Sequence, residues 1–453
     1  MHRGLSRHNN RSAGGAAFTP LSLFADGSQG AWYDNSNMST LFQDSAGTTA
    51  AVLESPVGKQ LDLSGRGNHR SQATSANRPL LSARYNLLTK TEQFDNAAWV
   101  KTGATVTANA ITSPNGTTTA DLLVEVSGQP TASVYQQLTL STLTYTHSVY
   151  CKAGARTWAY VRLATATGQG AFFNLTTGTV GTVQSGITAS ITDAANGWFK
   201  CTVSIAVTAG AWYMSVQPAL GDNLPIVSGD GTSGIYIWGA DLRPTDQTVT
   251  LPAYQLVDTS SVYDTTGFPQ YLKYSGSNQF LSTSSIDFTA TAQMSVFAGA
   301  RNTGTVAGQH NLVELSVNSV TNAGTFYISA PDTFSLNDYG FFVSDAVRYS
   351  YYAPRGYTPP ITNTLQLLLN LSQPVQANQI KPYVNNTLAQ TGGASTGTVT
   401  GNFGNYPLYF GARAGTGVFF NGQEYQMIIV GKTLTAAQIT STETFVNNRT
   451  KAY

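Results

Sequence analysis

Short runs in which apolar and polar residues alternate, each closed by Gly, Asn, Asp or Pro, fill most of this chain. Tyr145 to Lys152 reads Y-T-H-S-V-Y-C-K, and Ala159 to Leu163 reads A-Y-V-R-L. Gly234 to Gly239 reads G-I-Y-I-W-G, and Tyr406 to Gly411 reads Y-P-L-Y-F-G. A two-residue period places alternate side chains on opposite faces of a sheet. Many short strands of this kind with regular turn signals specify a sandwich or jelly roll. The expected fold is all-β. One helix stands out near the C-terminus. Thr435 is its expected N-cap, Gln438 completes a capping box, and Leu434 packs on Ile439 as a hydrophobic staple. This helix is expected to run to about Asn447.

A length of 453 residues accommodates two or three domains. Only 10% of residues are charged, against about 25% in an ordinary domain, so Ser, Thr, Asn, Gln and Gly supply the polar surface. The net charge of +1 argues against general nucleic-acid binding, which needs a concentrated positive field. No apolar run reaches membrane-spanning length, and no secretory signal is visible. Arg3, Arg7 and Arg11, with His2 and His8, sit among Gly, Ser and Asn. Residues 1–30 therefore read as a flexible arm. It is either a disordered leader or an anchor that orders on a partner protein. Arg3, Arg7, Arg11 and Phe18 are its candidate anchoring residues.

The chemistry of catalysis is thinly represented. There are five His, no G-x-S-x-G elbow and no H-E-x-x-H, so no catalytic residue is assigned. Cys151 and Cys201 both lie in strand-like segments and read as two buried thiols. Two cysteines make neither a zinc site nor a disulfide scaffold. The turn Ser64 to His69 is too short of the Walker spacing to cradle phosphate.

Aromatic residues are the main candidates for binding. Trp99, Trp198 and Trp238 read as core markers, whereas Trp158, Tyr160 and Trp212 are candidates for a sugar-stacking platform. The stretch Tyr349 to Pro360, Y-S-Y-Y-A-P-R-G-Y-T-P-P, reads as an exposed, rigid loop. Tyr352, Arg355 and Tyr357 are its interface candidates.

The order N-L-L-T-K-T-E-Q-F-D-N-A-A-W-V-K, P-N-G-T-T-T-A-D-L-L, Y-T-H-S-V-Y-C-K-A-G, N-G-W-F-K-C-T-V-S-I and I-Y-I-W-G-A-D-L-R-P resembles a module repeated across phage tail-fibre, head-fibre and other virion proteins. Such modules look like carbohydrate-binding jelly rolls. The flanking pieces, Gly30 to Pro79 and the stretch from Phe268 to Val446, together resemble one concanavalin-A-like (laminin-G-like) sandwich of the phage type.

The resemblance implies two β-sandwich domains, one inserted in the other. Residues 1–30 would form the anchoring arm and 31–84 the first segment of the concanavalin-like sandwich. Residues 85–244 would be the inserted jelly roll, and 245–453 a connection and the rest of the sandwich. It further implies a virion-surface location after synthesis in the host cytoplasm, as a head or tail fibre. The implied partners are capsid, collar or tail proteins, two further copies in a homotrimer, and a host-surface glycan. A capsid cement without ligand and a polysaccharide-degrading tailspike are the alternatives. No cofactor is expected, and no metal site is assigned. Laminin-G-like domains sometimes hold calcium at loop ends, which makes Asp62, Asp230 and Asp241 the only candidates.

Overall fold

The computed structural model describes residues 18–165, 169–332 and 335–453. The protein is built from antiparallel sheets with few helices, and divides into two compact units. The first comprises Met1–Ala51 (described from Phe18 onward), Pro56–Pro79 and Leu272–Tyr453; the second comprises Val52–Ser55 and Leu80–Tyr271.

In the first unit a ten-stranded sheet runs, in spatial order, Leu41–Phe42, Lys59–Gln60, Arg70–Ser71, Leu281–Asp287, Asn405–Phe410, Asn311–Leu315, Thr325–Ser329, Gly340–Ser344, Tyr349–Tyr352 and Ala394–Ser395. A second sheet is centred on Gln293–Asn302, flanked by Ile361–Asn370 and Asn421–Val430. The early strand Gly30–Asp34 pairs with Asn421–Val430, Trp32 lying opposite Ile428. Alternation along these strands splits the apolar residues between two faces. Phe297, Ile428 and Val430 form one cluster with Leu23, Phe24, Leu434 and Val446. Val296, Met427 and Ile429 are fully buried on the opposite face.

The C-terminal helix, Ala436–Thr450, covers that first cluster. Thr435 caps it in a reciprocal box with Gln438, as expected, and Leu434 and Ile439 both join the apolar cluster beneath. The helix extends three residues beyond the expected end because Lys451 closes it in the left-handed conformation.

The second unit is a jelly-roll sandwich. Its six-stranded sheet runs Thr188–Asp193, Trp198–Ala206, Thr144–Ala153, Gly234–Pro244, Ala120–Glu125 and Ala104–Ile111. Its seven-stranded sheet runs Thr179–Val183, Gly170–Asn174, Trp158–Ala164, Gly210–Gly221, Ser133–Leu140 and Val100–Thr102, with Leu224–Pro225 also pairing to Gly210–Gly221. Val149, Val161, Val203, Met214, Val216 and Ile237 from both sheets meet in one core. A bulge lies opposite Ser148 and Tyr150 on the strand Gly234–Pro244. Gly239 occupies it with φ 62°, a conformation that favours glycine. The extra residue changes the phase, so Ile235 and Ile237 face the core before it, and Ala240 and Leu242 after it.

Three boundaries differ from the sequence reading. Val52–Ser55 and residues 80–84, read as part of the first sandwich segment, belong to the second unit. Residues 245–271 belong to the second unit rather than to the sandwich that follows. Gln255 is fully buried; its side-chain oxygen accepts from the backbone N–H of Tyr85 and Asn86, and its amide donates to Ala83 O and Asp264 O. Arg243 donates to the carbonyls of Leu251 and Ala253. A weakly patterned segment is thus fixed by polar contacts that periodicity does not reveal. Likewise residues 18–30 are not a free arm. Pro20–Phe24 forms a short 3-10 helix capped by Thr19, with Leu23 and Phe24 buried.

Candidate functional site

The strand Trp158–Ala164 sends Ala159, Val161 and Leu163 into the core. By the same alternation Trp158, Tyr160 and Arg162 face outward. On the next strand Met214 and Val216 are core residues, which turns Tyr213, Ser215 and Gln217 outward. One strand further, Val134 is inside, and Ser133 and Tyr135 face out. Cross-strand register places Gly170, Arg162, Ser215, Tyr135 and Val100 in one row across the outer face.

A pocket of about 300 Å³ opens on this row, lined by Thr102, Thr131, Ser133, Tyr135, Arg162, Thr165, Tyr213, Ser215 and Gln217. Its aromatic wall is the edge-to-face pair Tyr135–Tyr213, with centroids 5.4 Å apart. Its floor is polar and incompletely satisfied. Ser215 is 3% exposed, and its Oγ has no hydrogen-bond partner among the described residues. The neighbouring Arg162 Nε is likewise buried and unpartnered. No lining residue is Asp, Glu, His, Lys or Cys. Among the described residues Arg162 is therefore the single charge.

Beside the pocket, Tyr160 stacks on Phe172 at 4.2 Å with an interplanar angle of 4°. Its hydroxyl donates to Gln184 Oε1 at 2.8 Å, and burial raises its pKa. The Arg162 guanidinium carbon lies 5.5 Å from the Tyr160 centroid. Gly170 leaves room for this arrangement: a Cβ there would stand 2.8 Å from Arg162 Cγ and 2.9 Å from the Tyr160 ring.

The sequence-predicted residues scatter relative to this site. Trp158 and Tyr160 come together with Phe172 and Ala219, flanking the pocket without lining it. Trp212 is 5% exposed and sits in the core, its indole N–H donating to Thr208 O. A buried ring offers no stacking face, so Trp212 is not a platform. Trp99, Trp198 and Trp238 are buried as expected. Trp198 and Trp238, however, form a separate cluster with Ala120, packed by Tyr150 and Tyr254.

Tyr352, Arg355 and Tyr357 lie in the first unit. Tyr349–Tyr352 is a strand paired with Gly340–Ser344, not a loop. Tyr349 stacks on Phe342, and Tyr351 joins the cluster in which Tyr327 and Phe342 lie 4.7 Å apart. Arg355 is exposed and 3.5 Å from the buried Asp338 carboxylate. Tyr357 packs on Tyr339 at 5.0 Å. Phe18 lies against Phe445 of the C-terminal helix at 6.3 Å, which takes it out of the anchoring set. Arg3, Arg7 and Arg11 lie outside the described residues.

The three candidate carboxylates serve protein donors. Asp62 accepts from the backbone of Trp32, Ser64 and Asn68. Asp230 pairs with Arg156, and Asp241 with Arg243. Among the described residues no group of three or more His, Cys, Asp or Glu is placed to hold a metal ion.

No protein-family model matches the chain, and neither does any curated protein. Solved structures match parts of it at low similarity. A carbohydrate-binding module (CBM40) of the Ruminococcus gnavus IT-sialidase, bound to α2,3-sialyllactose, is 14% identical; the match covers 36% of this chain and 97% of that one, with a TM-score of 0.27. A heptameric SAP-like pentraxin from Limulus polyphemus is 10% identical over 37% of this chain and 78% of that one, with a TM-score of 0.28. The binding domain of Paraclostridial Mosquitocidal Protein 1 is 14% identical over 39% of this chain and 43% of that one, with a TM-score of 0.29.

Proposed function

We propose that this protein is a virion-surface attachment protein of the head-fibre or tail-fibre kind, and that the outer face of its jelly-roll sheet holds a saccharide. The observation that carries the binding reading is the pocket between Tyr135, Tyr213 and Arg162. A small number of fixed polar groups beside aromatic faces is what an orienting ligand site requires. Among the described residues the pocket holds no carboxylate pair and no histidine, the groups that glycoside hydrolysis and general acid–base catalysis use. That favours binding over cleavage.

The virion reading rests on the order of motifs in the sequence. In it, residues preceding Phe18 engage capsid, collar or tail proteins, and the sandwiches project outward in a homotrimer. Cryo-electron microscopy of the intact particle combined with a glycan screen of the full chain tests both parts. The expected result is a projecting trimer rooted at its N-terminus that retains a subset of glycans. Sandwiches lying flat across capsomer joints, with no glycan retained, would identify a cement and overturn the attachment reading.

A further inference from the structure

Resting on the saccharide-site reading above, we propose that the ligand is an acidic sugar whose carboxylate is taken by Arg162, with Ser215 as the second donor. Arg162 and Ser215 are directly opposed across neighbouring strands. Each contributes a buried donor atom with no protein partner among the described residues, Nε and Oγ. An unpaired buried donor is costly to leave unmade, and an arginine fork matches the two oxygens of a carboxylate.

No lining residue among those described supplies that carboxylate from the protein itself. A neutral sugar would satisfy the hydroxyl contacts but would leave the partly buried Arg162 guanidinium without a counter-charge. The remaining lining groups, Thr102, Thr131, Ser133 and Gln217, suit ring hydroxyls, and Tyr135 and Tyr213 suit the apolar face of a sugar ring. A volume of about 300 Å³ sits at the small end of the usual range for ligand pockets, about 300–1,000 Å³. It fits a terminal residue better than an internal stretch of polymer.

Two chemical sources provide the carboxylate, a uronic acid and a nonulosonic acid, and matched probes separate them. Titration calorimetry of the full chain would compare glucuronate with glucose, and N-acetylneuraminate with its methyl ester. The preferred acid is expected to bind about tenfold or more tighter than its neutral counterpart, the size of one charge-assisted interaction. Arg162→Gln is expected to erase that ratio. Arg162→Lys, which keeps the charge without the fork, is expected to fall between. Should Arg162→Gln fail to fold, the ratio of acid to ester on the unmodified protein still decides. Equal affinity for acid and ester, with saccharide binding retained, would overturn the acidic-ligand proposal and spare the saccharide site. Retention of no saccharide in a broad screen would overturn both.

Discussion

Arg70 and Glu424, 354 residues apart in the chain, form a bidentate ion pair with contacts of 2.6 and 3.0 Å in the interior of the first unit. Neither side chain is exposed. Arg70 also donates to Gln60 Oε1, and its guanidinium lies 4.4 Å from the Tyr33 ring and 4.6 Å from Phe410. Tyr274 donates its hydroxyl to Glu424 at 3.1 Å. The pair ties the early segment of the unit to its late one, and each ion has the partners that a buried charge requires.

Removing one partner leaves the other charge buried and alone. Arg70→Met is expected to destabilise the protein by about 3–5 kcal/mol. The double variant Arg70→Met/Glu424→Leu is expected to recover most of that loss, because apolar replacement of a whole buried pair is often near neutral. Denaturant melts of the three proteins check this. A single variant within about 1 kcal/mol of the parent would mean that the pair behaves as a surface pair does.

This pair also marks where sequence reading stops. The turn around Arg70 was legible from its glycines and Asn68, but nothing local points to a carboxylate so far along the chain. The outer face of the jelly-roll sheet shows the same division. Trp158, Tyr160 and Arg162 alternate with Ala159, Val161 and Leu163, so their shared face is written in the sequence. The same rule applied to Trp212, Met214 and Val216 puts Trp212 inside. The meeting of Tyr135 with Tyr213 is different. It depends on strand order and on the register that sets Ser215 opposite Tyr135, which a two-residue period does not encode. The phase change at Gly239 was equally hidden, since a bulge inserts one residue without altering composition.

His147 carries a pH dependence. It is 1% exposed, and its Nδ1 lies 3.1 Å from the Asp241 carbonyl oxygen, so Nδ1–H is the donor. Burial pushes its pKa down from 6.5 to about 4. The unfolded chain therefore takes up a proton first as pH falls. Stability from this residue is complete above about pH 6.5 and declines between there and about pH 4. The full change is roughly 3 kcal/mol at 1.36 kcal/mol per pKa unit. Asp121 acts in the opposite sense, because burial pushes its pKa from 3.8 up to about 6. Its contribution is present at low pH and lost as pH rises through 6. The two partly cancel in the unmodified protein, so the informative quantity is a difference. His147→Gln keeps a donor for the Asp241 carbonyl and removes the titration. The stability gap between parent and variant is expected to move in the variant's favour as pH drops from 6.5 toward 4. Parallel pH–stability curves would refute the assignment.

Cys151 and Cys201 offer a probe of the jelly-roll core. Both are unpaired thiols with no exposed surface. They lie on neighbouring strands but are offset: Cys201 faces Val149, and Cys151 faces Phe199. Burial raises the Cys201 pKa well above its ordinary value. A thiol that is both inaccessible and protonated reacts slowly, since the thiolate is the nucleophile. In native buffer at pH 8 a thiol reagent such as DTNB is expected to label neither residue within minutes, whereas in guanidinium it should release two equivalents per chain. Because the strands carrying these thiols are central to the six-stranded sheet, labelling in native buffer should require opening of the sandwich itself. Its rate should therefore rise with denaturant in step with global unfolding of this unit. Fast labelling that is independent of denaturant would mean that the sheet frays locally around Cys151 and Cys201, and that the core they share is less closed than their burial indicates.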